Sequence, residues 1–389
     1  MTNDEGSFGT FVVCHSSFVV RGKMRIALDA RLLYYQQAGI AQYTQRLLTA
    51  LAEIDHQNDY IVLQSRKDRR RMVGAANFRR HPLWTPPHHR LEQLTLPLEL
   101  APLRLDVLHS PDFIPPLRRN CRAVITVHDL AFLLFPGLLT AESQRYYGQI
   151  RRAVHSAEAI IAVSESTKCD LIAHTAAPAA KITVVYEAAG PAFRPVTDAA
   201  ALAVVRQKYG LPEEFVLFVG TIEPRKNLAT LLKAWSKIRI SNFEFRNSLV
   251  IAGKPGWLYE ETIAQARELG TAVQFIGGVL PEDLPALYSA ARLFVLPSLY
   301  EGFGLPVLEA MACGTPVVCS HASSLPEVAG DAALLVEPHD VDGLAAALQR
   351  ALSDEALRRQ MIARGLAQAA RFSWDKAARE TLAVYRATG

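Results

Sequence analysis

Between Ser298 and Glu309 the chain reads Ser-Leu-Tyr-Glu-Gly-Phe-Gly-Leu-Pro-Val-Leu-Glu, after an apolar run and before Ala-Met-Ala. This pattern predicts a strand, a glycine loop and a helix. Gly302 and Gly304 would let the backbone approach a ligand closely, and Pro306 suits the first turn of a helix. The amides of Gly302, Phe303, Gly304 and Leu305, at the positive end of the helix dipole, would suit a diphosphate. Glu301 precedes the loop and Glu309 lies about one turn into the helix, where it can look back to the loop. One carboxylate could bind a ribose and the other a sugar. Taken alone, such a loop could equally be a tight turn packing a strand on a helix. A carboxylate beside a phosphate loop also requires a compensating charge.

Cations of the right kind occur upstream. Phe215 to Asn227 predicts a strand ending at Gly220, a loop bearing Arg225 and Lys226, and a helix from Leu228. A guanidinium fork beside an ammonium suits two phosphates, and two bases opposing a helix dipole make sense when an anion sits there. A third polar end follows the strand Ala123 to Val127, where His128 and Asp129 stand past its carboxyl terminus. His128 could hydrogen-bond a sugar hydroxyl or shuttle a proton, although a lone histidine is ordinarily structural.

The elements that must hold these groups are short apolar runs alternating with longer amphipathic stretches, the pattern of parallel strands and crossover helices. Expected strands are Arg25 to Asp29, Tyr60 to Gln64, Val107 to Ser110, Ala123 to Val127, Ala159 to Val163 and Ile182 to Tyr186. A second set is Phe215 to Val219, Ser248 to Ala252, Val273 to Ile276, Leu293 to Leu296, Pro316 to Cys319 and Ala333 to Val336. The chain of 389 residues thus divides into two doubly wound halves, joined through Ala188 to Asp198, with a cleft where strand ends face each other. Residues 1 to 23 carry Asp4 and Glu5 where a signal peptide is basic, and read as an extension outside the fold. No apolar stretch approaches the roughly 20 residues that span a bilayer.

These segments resemble glycosyltransferase family 4, over nearly all of the chain from Met24 onward. The resemblance implies a GT-B fold: two Rossmann-like α/β domains facing across a cleft, over 24–190 and 191–372, with a final helix within 373–389 crossing back to the first. It implies retaining, metal-independent transfer of a sugar from a nucleotide diphosphate sugar to a glycan, polysaccharide or lipid-linked acceptor. GDP-mannose is the leading donor, with a UDP-sugar as the other choice. Glu301 and Glu309 match the family's glutamate pair, Arg225 and Lys226 its phosphate-binding cations, and His128 its catalytic-site histidine. Gly39 to Thr44 resembles its first glycine loop, and Val279 with Leu280 the place where backbone holds the base. Catalytic roles thus fall to His128, Glu301, Arg225 and Lys226. Gly220, Gly302 to Leu305 and Glu309 fall to the donor. Two departures are Ala38-Gly39, where many relatives have a glycine pair, and Glu187-Ala188-Ala189-Gly190 in place of Asn-Gly-Val.

Alternatives on the same plan are a sugar-nucleotide epimerase or a glycoside phosphorylase. A non-catalytic sugar-nucleotide sensor or membrane-surface scaffold is a further reading. Residues 1–190 hold 22 Lys and Arg against 17 Asp and Glu. The densest basic run is Arg66, Lys67, Arg69, Arg70, Arg71, Arg79, Arg80 and Arg90, interleaved with Phe78 and Trp84. It reads as a solvated loop and helix face, or as attraction to anionic lipid headgroups or a phosphorylated acceptor. Nucleic acid is not expected at a pI of 8.8 without an accompanying motif. A cytoplasmic protein, associated with the inner face of the membrane, is the corresponding localisation. Five cysteines without metal spacing predict reduced, mostly buried thiols. Asp340-Val341-Asp342 matches a metal motif of another glycosyltransferase fold, yet its place before an apolar helical run predicts a helix cap, and no metal is expected.

Overall fold

The computed structural model describes residues 22–35, 39–138, 141–241 and 248–388; residues 1–21 of the extension expected over 1–23, and Ala38, lie outside these. Thirteen strands form two sheets. The first contains β1 (Arg25–Asp29), β2 (Asp59–Ser65), β3 (Phe78–Leu83), β4 (Val107–Ser110), β5 (Arg122–Val127), β6 (Ala159–Ala162) and β7 (Ile182–Val184), in the order β3-β2-β1-β4-β5-β6-β7. The second contains β8 (Phe215–Val219), β9 (Ser248–Ala252), β10 (Val273–Gly277), β11 (Leu293–Leu296), β12 (Val317–Ser320) and β13 (Ala333–Val336), in the order β10-β9-β8-β11-β12-β13. All the pairings are parallel.

Strands such as Phe-Val-Leu-Phe-Val in β8 and Leu-Phe-Val-Leu in β11 are apolar at every position because helices cover both faces of a parallel sheet. In β1 the period of two sorts Ile26 and Leu28 into one core and Ala27 into another. In each sheet the winding reverses between two central neighbours, β1 with β4 and β8 with β11. The chain leaves such strands in opposite directions, which opens a crevice at their carboxyl ends. The chemistry-bearing segments lie at these two places.

One strand went unforeseen. Phe78–Leu83 was expected to be part of a solvated basic loop and helix face, but it is β3, the edge strand of the first sheet. Arg79, Arg80 and Pro82 suppress the apolar signal there, as charges and proline commonly do on exposed edges. Phe78 stacks on Tyr60 at 4.2 Å. Of the described cysteines, Cys313 and Cys319 are buried, Cys121 is half-buried and Cys169 is exposed.

Residues 185–198 carry no helix or strand and join the sheets. The last helix, Trp374–Thr388, buries Ala377, Ala378, Leu382 and Tyr385 in the core of the first sheet, against the helix Ile40–Ile54. Trp374 Nε1 donates to the carbonyl of Ala188 at 2.9 Å, and the Tyr385 hydroxyl lies 2.6 Å from His109 Nδ1. Asp340 caps the helix Val341–Ser353, accepting from the Gly343 amide at 2.8 Å.

Candidate active site

Past β8 the chain turns through a short 3-10 segment, Pro224–Lys226, and stops at Asn227, which is left-handed at φ 56°. The Asn227 amide group donates to the carbonyls of Pro297 and Pro338, clamping this turn to the loop after β11. Arg225 and Lys226 are thereby aimed at Glu301. Lys226 Nζ lies 2.6 Å from Glu301 Oε1 and Arg225 Nη1 3.3 Å from Oε2. Ser298 Oγ donates to the same carboxylate at 2.6 Å. Arg225 is held from behind by Glu223 at 2.8 Å and by the carbonyl of Tyr300. Lys226 and Glu301 are 8% and 7% exposed. Burial pushes the Glu301 carboxyl up, but the charges of Lys226 and Arg225 outweigh it and hold the group below its ordinary range. Arg225 is held above its ordinary value: burial opposes its charge, and Glu301, Asp129 and Glu223 more than compensate.

The neighbouring glycines have different tasks. Gly304, at φ 99°, opens the helix Leu305–Ala312; Pro306 has no N–H and the Val307 amide donates to the Gly304 carbonyl at 3.0 Å, which leaves the Leu305 amide without an acceptor in the helix. Gly302 was expected to let the backbone approach a ligand. Its close neighbour is instead the first domain: a Cβ there would sit 1.8 Å from the carbonyl oxygen of His128. The Gly302 carbonyl accepts from Ser164 Oγ at 2.6 Å and Thr167 Oγ1 at 3.1 Å. The Phe303 side chain packs into the core beside Tyr186 and Phe372. Gly220 faces Lys226 and Phe218, and a Cβ on Gly253, which the sequence reading passed over, would meet the Gly220 carbonyl oxygen at 1.8 Å.

The Glu309 carboxylate meets the hydroxyl of Tyr288 at 3.3 Å and Arg46 of the first domain at 3.9 Å, at the junction of the domains. Burial pushes it up to about 7, against the pull of Arg46. Arg46 Nη1 is buried without a partner, and the Arg46 guanidinium lies where a Cβ of Gly190 would be, 2.9 Å away. Val279 packs against the second core, while the amide of Leu280 donates to the hydroxyl of Tyr209 at 3.2 Å.

Across the cleft His128 follows β5. Its Nδ1 lies 2.9 Å from Glu187 and its Nε2 3.0 Å from the carbonyl of Pro111. Burial disfavours the imidazolium, yet Glu187 raises the ring above its ordinary value. Both ring nitrogens face acceptors, a carboxylate and a carbonyl, an arrangement that favours the imidazolium. Glu187, noted in the sequence only as a departure, is therefore its counter-ion. Tyr43, from the first glycine loop, packs edge-on against His128 at 4.7 Å, and Gly39, at φ 38°, opens the helix Ile40–Ile54 with open space beside it.

A second cluster, absent from the sequence reading, lies at the crevice of the first sheet. Arg31, 2% exposed, binds both oxygens of Asp29 and reaches Glu92 at 2.5 Å and the carbonyl of Thr85 at 3.0 Å. His88 stacks on Tyr146 at 3.9 Å and pairs with Asp112, whose other oxygen is buried without a partner. Asp29, Arg31, Glu92, Asp112 and Tyr146, with Ile40, Thr44 and Ser110, line a small pocket.

Comparison with known proteins agrees with this geometry. Residues 204–368 match the family described as "Glycosyl transferases group 1" and residues 38–189 match "Glycosyltransferase Family 4". The chain is 35% identical to the O-antigen chain mannosyltransferase B of Escherichia coli, over 93% of this chain and all of that protein. The fold superimposes on sucrose-phosphate synthase from Thermosynechococcus elongatus with a TM-score of 0.74 at 24% identity, over 94% of this chain and 99% of that one. Anabaena HepE in complex with UDP-glucose gives 0.70 at 18% identity, over 94% and 100%. A crevice at each sheet's point of reversal, buried cations beside a glycine loop, and a relative matched along its full length place this chain in glycosyltransferase family 4.

Proposed function

We propose that this glycosyltransferase moves a mannosyl residue, with retention, from GDP-mannose to a growing glycan of polysaccharide or lipid-linked type. The donor sugar follows the similarity to the O-antigen mannosyltransferase; a UDP-sugar is the second candidate, as HepE is bound to UDP-glucose. One observation carries the reading: Arg225 and Lys226 converge on a single anionic group at the crevice of the second sheet. A carboxylate occupies in the protein the kind of position that a phosphate oxygen takes in a complex.

In this reading the diphosphate lies on Arg225, Lys226 and the Leu305 amide that opens the helix Leu305–Ala312, where charges held in the crevice stabilise the leaving phosphate. Glu301, held by the same cations and Ser298, orients them and offers a free lone pair to the sugar. Front-face attack follows, the departing phosphate oxygen taking the proton of the incoming hydroxyl, and no metal is required because two cations already meet the developing charge. His128, fixed as a cation by Glu187, adds positive potential from the opposite wall. Val279 and Leu280 border the base. The domain division at 24–190, 191–372 and 373–389 belongs to this proposal, as does a location at the cytoplasmic face of a membrane, reached through the basic first domain. The pocket lined by Asp29, Glu92 and Asp112 is assigned to the acceptor: carboxylates bind sugar hydroxyls well and repel phosphate.

Incubation with GDP-mannose, with and without a mannosylated acceptor, tests this proposal. Acceptor-dependent release of GDP with an α-linked product is expected. An epimerase would change the donor without acceptor, and a phosphorylase would require free phosphate.

A further inference from the structure

The helix Glu92–Leu100 presents an abnormal outer face. Its acids turn inward: Glu92 binds Arg31, and Glu99 accepts from the amides of Trp84 and Thr85 at 2.7 and 2.9 Å. The outward positions are Leu91, Leu94 and Leu98, exposed by 51%, 64% and 75%. Residues three and four apart share one face of a helix, so these leucines form a single stripe where a solvated helix would carry charge.

Trp84, 70% exposed, stands beside the helix through its bond to Glu99, with the Arg66 guanidinium stacked 3.9 Å from its ring. Below the stripe, Leu98, Leu100 and Leu105 share a groove of about 250 Å³ with Arg104, Arg118 and Arg119, and no acidic residue lines it. Among the described residues no helix is long and apolar enough to cross a membrane.

We propose that this face, Trp84 with Leu91, Leu94 and Leu98 inside an arginine rim, seats the protein on an anionic lipid bilayer. Leucine and tryptophan side chains enter the headgroup boundary while the arginines meet lipid phosphates. A protein partner would also bury the leucines, but Arg66 over Trp84 and the exposed Arg104 and Arg118 of the groove, which no acid lines, are complementary to an anionic surface. The placement also serves catalysis. The helix starts at Glu92, within the Arg31 and Asp112 pocket, so an acceptor anchored in the bilayer would present its sugar to the cleft along this helix. The inference rests on the transferase reading only for that last point.

Cosedimentation with phosphatidylcholine vesicles, with and without one third phosphatidylglycerol, tests the proposal, with GDP release to a soluble acceptor measured in the same samples. The wild-type protein should bind the anionic vesicles and be released several-fold as NaCl rises from 0.1 to about 0.5 M. The double variant Leu94→Gln with Leu98→Gln should bind about ten-fold less, with unchanged melting and unchanged turnover on the soluble acceptor. Leu94→Trp, which keeps the face apolar, should retain binding. No binding by the wild type, or equal binding by the glutamine variant, would overturn the proposal. So would concentration-dependent self-association of the wild type that the glutamine substitutions abolish. Vesicle binding without sugar transfer would leave this surface standing and remove the transferase reading instead.

Discussion

The two crevices are built alike and charged differently. In each, a buried arginine follows the first central strand and is pinned by carboxylates: Arg225 by Glu223 and Glu301, Arg31 by Asp29 and Glu92. Around Arg225 stand Lys226 and the amino end of a helix. Around Arg31 stand Asp112 and a histidine that depends on it. The first arrangement approaches neutrality and gains from an added anion, whereas the second already holds more carboxylate than guanidinium. In the function proposed, one topology supplies a seat for a charged leaving group and, opposite it, a seat for neutral hydroxyls.

The largest expected effect tests whether Arg31 is an internal strut. Arg31→Met leaves Asp29 and Glu92 buried without their cation, and chemical denaturation should show a loss of about 3 to 5 kcal/mol. Retained stability would mean that water reaches the pair. Next, Lys226→Ala should lower kcat by about 2 to 4 kcal/mol of transition-state stabilisation, read as GDP release at saturating acceptor, with Arg225→Ala in the same range. If the second crevice were as structural as the first, stability would fall and turnover per folded molecule would not.

The junction between the crevices should report through pH. Glu309 titrates at about 7 in the folded protein, above its ordinary value, so the native state binds a proton that the unfolded chain releases. The stability tied to this proton is present below the ordinary carboxylate range and is lost as pH rises through about 7. Glu309→Gln, measured without ligand, should be as stable as wild type near pH 5 and more stable near pH 8, by up to about 3 kcal/mol. His109, lowered to about 3 by complete burial, works the other way: its contribution is lost as pH falls from 6.5. A stability difference for Glu309→Gln that does not change with pH would place the charge elsewhere.

The smallest effect separates the two seats kinetically. Asp112→Asn should raise the acceptor KM about ten-fold and leave the donor KM unchanged, while Lys226→Ala should do more to the donor. A shift in donor KM for Asp112→Asn would merge the two sites.

The same contrast explains what could be read in advance. The second crevice was legible because its groups are contiguous: Arg225 and Lys226 follow an uninterrupted apolar strand, and Glu301 to Leu305 follow another. β1, β4, β8, β9, β11 and β13 have the expected ends, each being a short, largely apolar run. The first crevice draws on Asp29, Arg31, His88, Glu92, Asp112 and Tyr146, which lie after different strands and in loops, and no spacing rule joins them. Polar residues just past Asp29 were the available signal. Gly302 and Glu309 were placed correctly along the chain, yet Gly302 packs on His128 and Glu309 reaches Arg46, both in the other domain, and local pattern contains no information about domain contact. β3 was hidden by its arginines and proline.

The central claim is that Arg225 and Lys226 form the diphosphate seat. Calorimetric titration of GDP and GMP into the wild-type protein and into folded Lys226→Ala tests it most directly. With the diphosphate on these two cations, GDP should bind the wild type well above GMP, and the substitution should remove most of this difference, with GMP affinity little changed. Equal loss for both nucleotides, or undiminished preference for GDP in the variant, would contradict it.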